Sequence, residues 1–259
     1  MPLSDQSSAA KLPAWPYPAW IAHRGAGTFA PENTLAAFKV GVNHGFTMFE
    51  CDARLGVDGT IFLSHDEQLG RTISGCGNVL DLPWKALSQM DAGSWHSATF
   101  AGEPVPTLTT IWDFCATAKC CLNIEIKTST SNGHQTGAAV SDAAHHLSLA
   151  SPLPELPLLS SFDQKALEGA REAAPDLPRA LLLNQLTTDW VKSAQDLQCR
   201  AVVIHYPLIN QSVVEMAQHH QLHVLSYTPN TADEWIRLTK LGVKGLITDR
   251  MDRDPALIS

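Results

Sequence analysis

Short apolar runs recur at a regular interval in the second half of the chain. They begin at Pro157, Pro178, Cys199, His223 and Val243, so the spacings between them are 21, 21, 24 and 20 residues. The stretches between these runs are typical of helices. Strands that read as continuous apolar runs and are joined by helices indicate a parallel sheet covered by helices.

The first half of the chain contributes three more apolar runs, in the stretches WIAHRG, MFECDARL and CLNIEIK. Eight strand and helix units in a chain of 259 residues favour a (β/α)8 TIM-type barrel over an open doubly wound sheet. We therefore predict an α/β fold with a single barrel domain over residues 19–259. Residues 1–18 are rich in Pro, Ser and Ala, lack periodicity, and are predicted to form a loose N-terminal head.

One segment of the first half breaks this rhythm. After an extra strand, TIFLSHD, which ends at His65 and Asp66, residues 66–107 contain no long periodic helix. We predict a small insertion here, between a barrel strand and its helix. Insertions of this kind often cover active sites.

Composition and charge narrow the class of function. The formal net charge of −8 disfavours nucleic acid as a partner, because polyphosphate binding usually needs a basic surface. A small anionic ligand stays compatible with this charge, since a few local cations or a bound metal can reverse the field inside one cleft. No stretch is apolar enough for a membrane span and no basic leader opens the chain, so we expect no stable membrane insertion and a cytoplasmic location. The six cysteines form no CxxC pair and are expected to be reduced thiols.

Carboxylates lie on two of the predicted strands. In MFECDARL, Glu50 and Asp52 are two residues apart and face the same way, and in CLNIEIK, Glu125 lies on the polar face of an alternating strand. The apolar face should pack on the helices, so these carboxylates are expected to point into the barrel. Three carboxylates without a thiolate suit a hard divalent cation, Mg²⁺ or Ca²⁺. The alternative is that they form ion pairs with Arg54 and Lys127.

Imidazole and guanidinium groups follow predicted strands. His23 and Arg24 end the first strand, and His65 ends the extra strand. Because strand C-termini in a barrel converge on one mouth, we expect these groups to lie beside the carboxylates. Phosphodiester cleavage needs proton removal, protonation of the departing oxygen and compensation of phosphoryl charge, which this set can supply. A hydrogen-bonded structural role is the alternative for each histidine, while Asn33 in PENTLAAF is predicted to cap the next helix.

A series of short motifs follows an order that is seen in one known family. The motifs are AHRG, PENT..AF, FECDARLGVDG, LSHD..LGRT, NIEIK, LSSF and GLITD, between about residue 18 and residue 250. Together they resemble the glycerophosphodiester phosphodiesterases. WPYP, DAGSW and FAGEPVPTL are similar to the small cytosolic bacterial type linked to glycerol 3-phosphate uptake. The resemblance implies a TIM-type barrel that hydrolyses glycerophosphodiesters to sn-glycerol 3-phosphate and an alcohol.

The resemblance also implies a catalytic apparatus. His23 and His65 would be the acid/base pair. One divalent cation, Mg²⁺ in the first place and Ca²⁺ or Mn²⁺ as alternatives, would be held by Glu50, Asp52 and Glu125. In this family the glycerol 2-hydroxyl of the substrate is thought to attack phosphorus, and water then opens the resulting cyclic phosphate.

The resemblance also implies roles in substrate binding for three further residues. Arg24 and Lys127 would contact the substrate phosphate. Many relatives carry a Trp-Thr-x-Asn pattern on the seventh strand, where this chain has YTPN. Tyr227 would then replace an aromatic wall of the substrate pocket, so the preferred alcohol leaving group is left open.

Two other functions remain as alternatives at this point. A related barrel phosphodiesterase could act on lysophospholipid or sphingolipid head groups, and a catalytically silent barrel could bind phosphodiesters without cleaving them. The sequence leaves the oligomeric state undetermined.

Overall fold

A computed structural model describes residues 12–129 and 131–253, and within them strands and helices alternate along the chain. The strands are β1 (Trp20–Ala22), β2 (Met48–Leu55), β3 (Ile61–Leu63), β4 (Cys121–Ile126), β5 (Leu158–Ser161), β6 (Arg179–Leu183), β7 (Ala201–His205), β8 (His223–Tyr227) and β9 (Gly245–Thr248). The helices are α1 (Leu35–Asn43), α2 (Trp84–Leu87), α3 (Leu108–Ala118), α4 (Gly133–Ala150), α5 (Gln164–Ala173), α6 (Trp190–Asp196), α7 (Gln211–His219) and α8 (Ala232–Lys240).

Eight parallel strands close into a barrel. Their order is β1, β2, β4, β5, β6, β7, β8 and β9, and β1 pairs with both β2 and β9, which closes the ring. The predicted TIM-type barrel is therefore confirmed. The remaining strand, β3, pairs only with β2 and runs antiparallel to it, so it stands outside the ring.

Side chains of the strands alternate between two cores. The outward side chains of β2 and β4 are buried against the helices and include Phe49, Cys51, Leu122 and Ile124. Inward apolar side chains fill the part of the barrel nearest the strand N-termini and include Met48, Cys121, Leu158 and Val203. Because the side-chain period of a strand is two, Glu50 and Glu125 share the inward face with Met48 and Cys121.

The residues before β1 cover the floor of the barrel, the end nearest the strand N-termini. Tyr17 is buried there, and its hydroxyl donates to the carbonyl of Leu156 at 2.7 Å. Trp15 packs beside it, with 4.8 Å between the ring centroids. Residues 1–11 of the predicted N-terminal head lie outside the described residues. The floor is thus covered, and the opposite end forms the mouth.

The segment predicted as an insertion, residues 66–107, has a small core of its own. Apart from α2 it contains only single 3₁₀ turns, Val79–Asp81 and Ala98–Phe100. Its apolar side chains pack together with Phe62 of β3; they are Ile73, Val79, Leu87, Ala92 and Val105. We call residues 66–107 the inserted segment.

Among the described residues, no helix combines the length and the apolar character that crossing a membrane requires. All six cysteines are unpaired, and every one except Cys76 is buried. The reduced state of these thiols stays a prediction.

Close packing of α4 on α5 depends on glycine. A Cβ atom added at Gly137 would lie 1.9 Å from the carbonyl oxygen of Ala166. We expect Gly137→Ala to lower the free energy of unfolding by about 2 kcal/mol, because overpacking outweighs the higher helix propensity of alanine. Urea denaturation measures the change. Gln135→Ala, on the exposed face of the same helix, should stay within about 0.5 kcal/mol of the wild type. Equal stability of the two variants would contradict the packing argument.

Candidate active site

The loop after β1 brings His23 and Arg24 to the mouth of the barrel. They lie in a short 3₁₀ turn, His23–Gly25, in which Arg24 adopts a left-handed backbone conformation with φ of 51°. In this conformation the backbone N–H of Arg24 donates to Glu50 Oε2 at 2.9 Å. Gly27 lets the loop lie directly on β9, because a Cβ atom there would be 2.2 Å from the Cα atom of Asp249. The turn is thereby fixed between β2 and the end of β9.

Three carboxylates converge at the inner face of β2 and β4. Asp52 and Glu125 are direct neighbours in the parallel register of the two strands, and Glu50 lies one pleat below Asp52. One carboxylate oxygen from each of the three lies within 4.8 Å of the others. Glu50 is 2% exposed and Asp52 is 1% exposed, so water cannot screen their charges. We call these three residues the carboxylate cluster.

The charges of the carboxylate cluster are only partly compensated by the protein. Burial raises the pKa of Asp52, but the positive charges of Arg24 and Lys127 outweigh it and hold that pKa below its usual range. Burial raises the pKa of Glu50, and the negative charge of Asp52 raises it further. The pKa of Glu125 is raised for the same two reasons. The negative charge of the cluster is therefore least compensated at Glu50, because Glu125 also accepts a hydrogen bond from Lys127.

The donor set of the cluster fits a divalent cation. Glu50 Oε1 and Asp52 Oδ1 are buried oxygens that accept no hydrogen bond from the described residues. Buried acceptors without a partner are rare, and each needs an explanation such as a bound ion or water. Carboxylate oxygens are the ligands that hard cations prefer. A cation at this position would satisfy these oxygens and supply the missing positive charge.

Each predicted histidine is held by an aspartate through the same ring nitrogen. His23 Nδ1 lies 2.6 Å from Asp249 Oδ1, and His65 Nδ1 lies 2.7 Å from Asp66 Oδ1. The Nε2 atom of His23 is 3.9 Å from Glu50 Oε2, so this imidazole borders the carboxylate cluster. Because Nδ1 is engaged in both rings, Nε2 is the nitrogen left to exchange a proton with a ligand.

The two imidazoles differ in their electrostatic surroundings. Burial lowers the pKa of His23, but its hydrogen bond to Asp249 and the charge of Glu50 outweigh burial and raise the pKa above its usual value. For His65, burial lowers the pKa, and the charge of Asp52 offsets this only in part. The pKa of His23 is therefore shifted upwards and the pKa of His65 downwards.

His65 reaches the mouth from the antiparallel strand β3 and not from the end of a barrel strand. The extra strand ends at Leu63 and runs antiparallel to β2, so His65 does not sit at the C-terminal end of a barrel strand. The strand β2 continues past the mouth, and β3 returns along it, with the N–H of Ser64 donating to the carbonyl of Asp52 at 3.0 Å. This return brings His65 back towards the carboxylate cluster.

Both predicted phosphate ligands border the carboxylate cluster. Arg24 Nε lies 3.2 Å from Asp52 Oδ2, and Lys127 Nζ donates to Glu125 Oε1 at 2.9 Å. Their side chains are 19% and 16% exposed, so both cations are open to the mouth. Lys127 thus forms the ion pairs with the carboxylates that the sequence left open as an alternative. This alternative is wrong for Arg54, which pairs with Glu67 and donates to the backbone carbonyl of His65 at 2.5 Å.

Tyr227 lies on the other side of the mouth from the carboxylate cluster. Its hydroxyl donates to the carbonyl of Leu183 at 3.3 Å, and its ring centroid is 5.7 Å from that of Phe162 and 5.4 Å from that of His205. Burial raises the pKa of Tyr227 to about 12, with a further contribution from the charge of Glu125. The ends of β5, β7 and β8 thus form an aromatic side of the mouth.

The prediction that Asn33 caps the helix α1 is wrong. Thr34 caps α1, since its side chain accepts from the N–H of Ala37 at 3.2 Å. Asn33 instead faces the carboxylate cluster: its Nδ2 donates to Asp52 Oδ2 at 2.7 Å, and its Oδ1 accepts from the N–H of Asp52 at 3.0 Å. Asn33 therefore orients a carboxylate of the cluster.

Other residues at the mouth were not assigned any role from the sequence. Asp249 holds His23, and Asn230 holds Asp249 by donating to its Oδ2 at 2.9 Å. Asp66 holds His65, and Glu32 accepts from Arg24 Nη1 at 2.8 Å. The position of Asp249 directly after a barrel strand was the available sequence signal that it lies at the mouth. Its partner could not be read from the sequence, because His23 is 226 residues away.

Comparison with known proteins identifies the family of this chain. The sequence model of the glycerophosphoryl diester phosphodiesterase family matches residues 23–253. The chain belongs to this family. The glycerophosphodiester phosphodiesterase of Caldanaerobacter subterraneus subsp. tengcongensis is 31% identical over 232 residues, which cover 88% of this chain and 93% of that relative. A Bacillus subtilis glycerophosphodiester phosphodiesterase is 29% identical, over 90% of this chain and 83% of the relative.

Solved structures of this family share the fold. A phosphodiesterase of Oleispira antarctica, in complex with the product sn-glycerol-3-phosphate, is similar with a TM-score of 0.84 at 29% identity. The similarity covers 90% of this chain and 93% of that one. The glycerophosphodiester phosphodiesterase of Agrobacterium tumefaciens is similar with a TM-score of 0.76 at 25% identity, over 93% of this chain and 98% of that one.

The role of Asn33 can be tested by metal binding. We expect Asn33→Gly to weaken Mn²⁺ binding by about 10- to 100-fold, because Asp52 loses the amide that orients it. Glycine suits the left-handed backbone at this position, where φ is 59°. Isothermal titration calorimetry gives the affinity. Gln198→Gly is the matched control, since it makes a similar change at an exposed residue with φ of 53°. Equal affinities of all three proteins would contradict the assignment.

Proposed function

We propose that the protein hydrolyses glycerophosphodiesters to sn-glycerol 3-phosphate and an alcohol, with a divalent cation at the carboxylate cluster. The observation that carries this proposal is the placement of two aspartate-held imidazoles, His23 and His65, at a mouth lined by the cluster. Family membership supports the substrate class. The sn-glycerol-3-phosphate bound to the related Oleispira antarctica enzyme supports the product.

Proton transfer is the proposed task of the histidines. The glycerol 2-hydroxyl of the substrate attacks phosphorus while one imidazole removes its proton through Nε2. The other imidazole donates a proton to the departing alcohol oxygen, so that the alcohol leaves neutral and a cyclic phosphate remains. Water then opens the cyclic phosphate with the proton-transfer roles reversed. The opposite pKa shifts of His23 and His65 support a division of labour between them.

Charge compensation is the proposed task of Arg24 and Lys127. Both cations are partly exposed at the mouth and already lie against the carboxylate cluster. They would hold the phosphoryl oxygens by charge-assisted hydrogen bonds as negative charge builds up. A cation held by Glu50, Asp52 and Glu125 would supply Lewis-acid stabilisation of negative charge on the phosphoryl group.

We propose Mg²⁺ as the physiological cation, with Ca²⁺ and Mn²⁺ able to occupy the same residues. Mg²⁺ usually binds few protein carboxylates and completes its shell with water and substrate phosphate. Three carboxylates at an open mouth leave places for both. We also propose that the enzyme acts in the cytoplasm, since six unpaired cysteines are typical of a reducing compartment.

The reaction is tested by release of glycerol 3-phosphate from glycerophosphoethanolamine and glycerophosphocholine in the presence of Mg²⁺, Ca²⁺ or EDTA. We expect release that needs a divalent cation. His23→Ala should lower kcat by at least about 100-fold, because a general acid or base contributes that much or more. His146→Ala, at a side chain that is 70% exposed, should retain full activity.

Three outcomes would count against this proposal. Undiminished turnover by folded His23→Ala would remove the role of the imidazole. Cleavage of lysophospholipid but not of glycerophosphodiesters would move the substrate class to lipids. Calorimetric binding of glycerophosphocholine without product release from the wild type would indicate a silent binding barrel.

Tyr227 is proposed to contact the alcohol part of the substrate. Aromatic rings attract quaternary ammonium groups, so we expect Tyr227→Leu to lower kcat/KM for glycerophosphocholine more than for glycerophosphoethanolamine, by roughly 2- to 30-fold. Tyr227→Phe keeps the ring and is the matched control, so its ratio of the two values should stay close to that of the wild type. Identical ratios in all three proteins would show that the ring does not contact the alcohol.

A further inference from the structure

The guanidinium of Arg71 joins the inserted segment to the mouth of the barrel. Its Nη1 donates to Glu32 Oε2 and its Nη2 donates to Glu32 Oε1, both at 2.8 Å, and its Nε donates to Asp66 Oδ2. The planar fork of one arginine is thus shared between a carboxylate after β1 and a carboxylate after β3. We call Arg71, Glu32 and Asp66 the Arg71 clamp.

Each carboxylate of the Arg71 clamp also holds a residue of the proposed active site. Glu32 Oε1 accepts from Arg24 Nη1 at 2.8 Å, and Asp66 Oδ1 lies 2.7 Å from His65 Nδ1. A continuous chain of hydrogen bonds therefore runs from the phosphate-binding guanidinium, through Arg71, to an imidazole. Arg71 is its central member.

The backbone holds Arg71 in place without help from the side chain. The two residues that follow it, Thr72 and Ile73, are buried, and the N–H of Gly70 donates to the carbonyl of Ile73 at 2.8 Å, which closes a turn around Arg71. The carboxylates are less accessible than the arginine, with side-chain exposures of 11% for Glu32 and 28% for Asp66. Although the Arg71 side chain is 46% exposed, its two-pronged contact with Glu32 distinguishes the clamp from an ordinary surface ion pair.

We propose that Arg71 is a positioning residue that sets the imidazole of His65 and the guanidinium of Arg24 relative to one another for phosphodiester cleavage. The inference rests on the proposed function. Arg71 acts through Asp66 and Glu32 and takes no part in proton transfer itself. Without it, Asp66 loses its hydrogen bond from the segment, and the ring of His65 loses its fixed orientation.

The geometry requires arginine and not merely a positive charge. Lysine offers one compact ammonium group, which cannot reach both oxygens of Glu32 and an oxygen of Asp66 in one plane. Displacement of a reacting group by about 1 Å can cost about 100-fold in rate. Arg71→Lys should therefore impair the reaction although charge is conserved.

The kinetic test compares Arg71→Lys with Arg250→Lys. Arg250 makes a two-pronged pair with Asp252 at 2.8 and 2.6 Å and is exposed to a similar degree, so the control breaks the same kind of contact away from the clamp. We expect kcat of Arg71→Lys to fall by about 10- to 100-fold with a much smaller change in KM. Arg250→Lys should match the wild type.

Guanidinium ions at low millimolar concentration should restore part of the activity of Arg71→Ala, whereas ammonium ions should not.

A spectroscopic readout tests the positioning itself. The ¹⁵N shifts of the His65 ring, assigned with a His65→Gln variant, should report one fixed proton arrangement in the Mg²⁺-loaded wild type and an averaged one in Arg71→Lys. Unchanged ring shifts with unchanged kcat would overturn the proposal. A raised KM at constant kcat would also overturn it, since Arg71 would then be a direct substrate ligand. If the wild type cleaves no glycerophosphodiester, the proposed function fails, but the ring shifts still decide the role of the clamp.

Discussion

Repulsion among the three carboxylates of the cluster, two of them buried and one partly buried, is the constraint on which the mouth of the barrel depends. Asp52 and Glu125 are neighbours in the sheet register, so the parallel pairing of β2 and β4 itself forces two negative charges together. Arg24, Lys127 and Asn33 stabilise Asp52, while Glu50 keeps a buried oxygen without a partner. Arg24 and Lys127 thus compensate this charge only in part, and a divalent cation at the carboxylate cluster would supply the rest.

The two imidazoles at the mouth are oriented by separate parts of the chain. His23 is oriented by Asp249, which belongs to the barrel, whereas His65 is oriented by Asp66, which opens the inserted segment. Separate aspartates let each imidazole keep its orientation when charge in the carboxylate cluster changes. The aromatic side of the mouth, on β5, β7 and β8, faces this polar side and leaves space for the part of a substrate that is not phosphate.

Local sequence patterns correctly predicted the barrel strands and the faces of their side chains. The barrel strands, and the shared face of Glu50 and Asp52, follow from apolar runs and a period of two. The contacts of Asn33 and Asp249 could not be predicted in this way, because each depends on backbone segments that only the closed barrel brings together. Those of Arg54 depend on the antiparallel return of β3 along β2. His65 was expected at the mouth for the wrong reason, since the antiparallel pairing of β3 is not visible in its short apolar run.

The two-stranded ribbon of β2 and β3 has a consequence for how this enzyme can diversify. Asp52 and His65 lie on one hydrogen-bonded ribbon, so the ladder geometry of β2 and β3 sets the spacing between this carboxylate and this imidazole. The far end of the inserted segment supports this ribbon, because the N–H of Leu63 donates to the carbonyl of Pro106 at 3.0 Å. A change in the inserted segment can therefore leave the spacing between Asp52 and His65 intact only if it keeps this contact with β3.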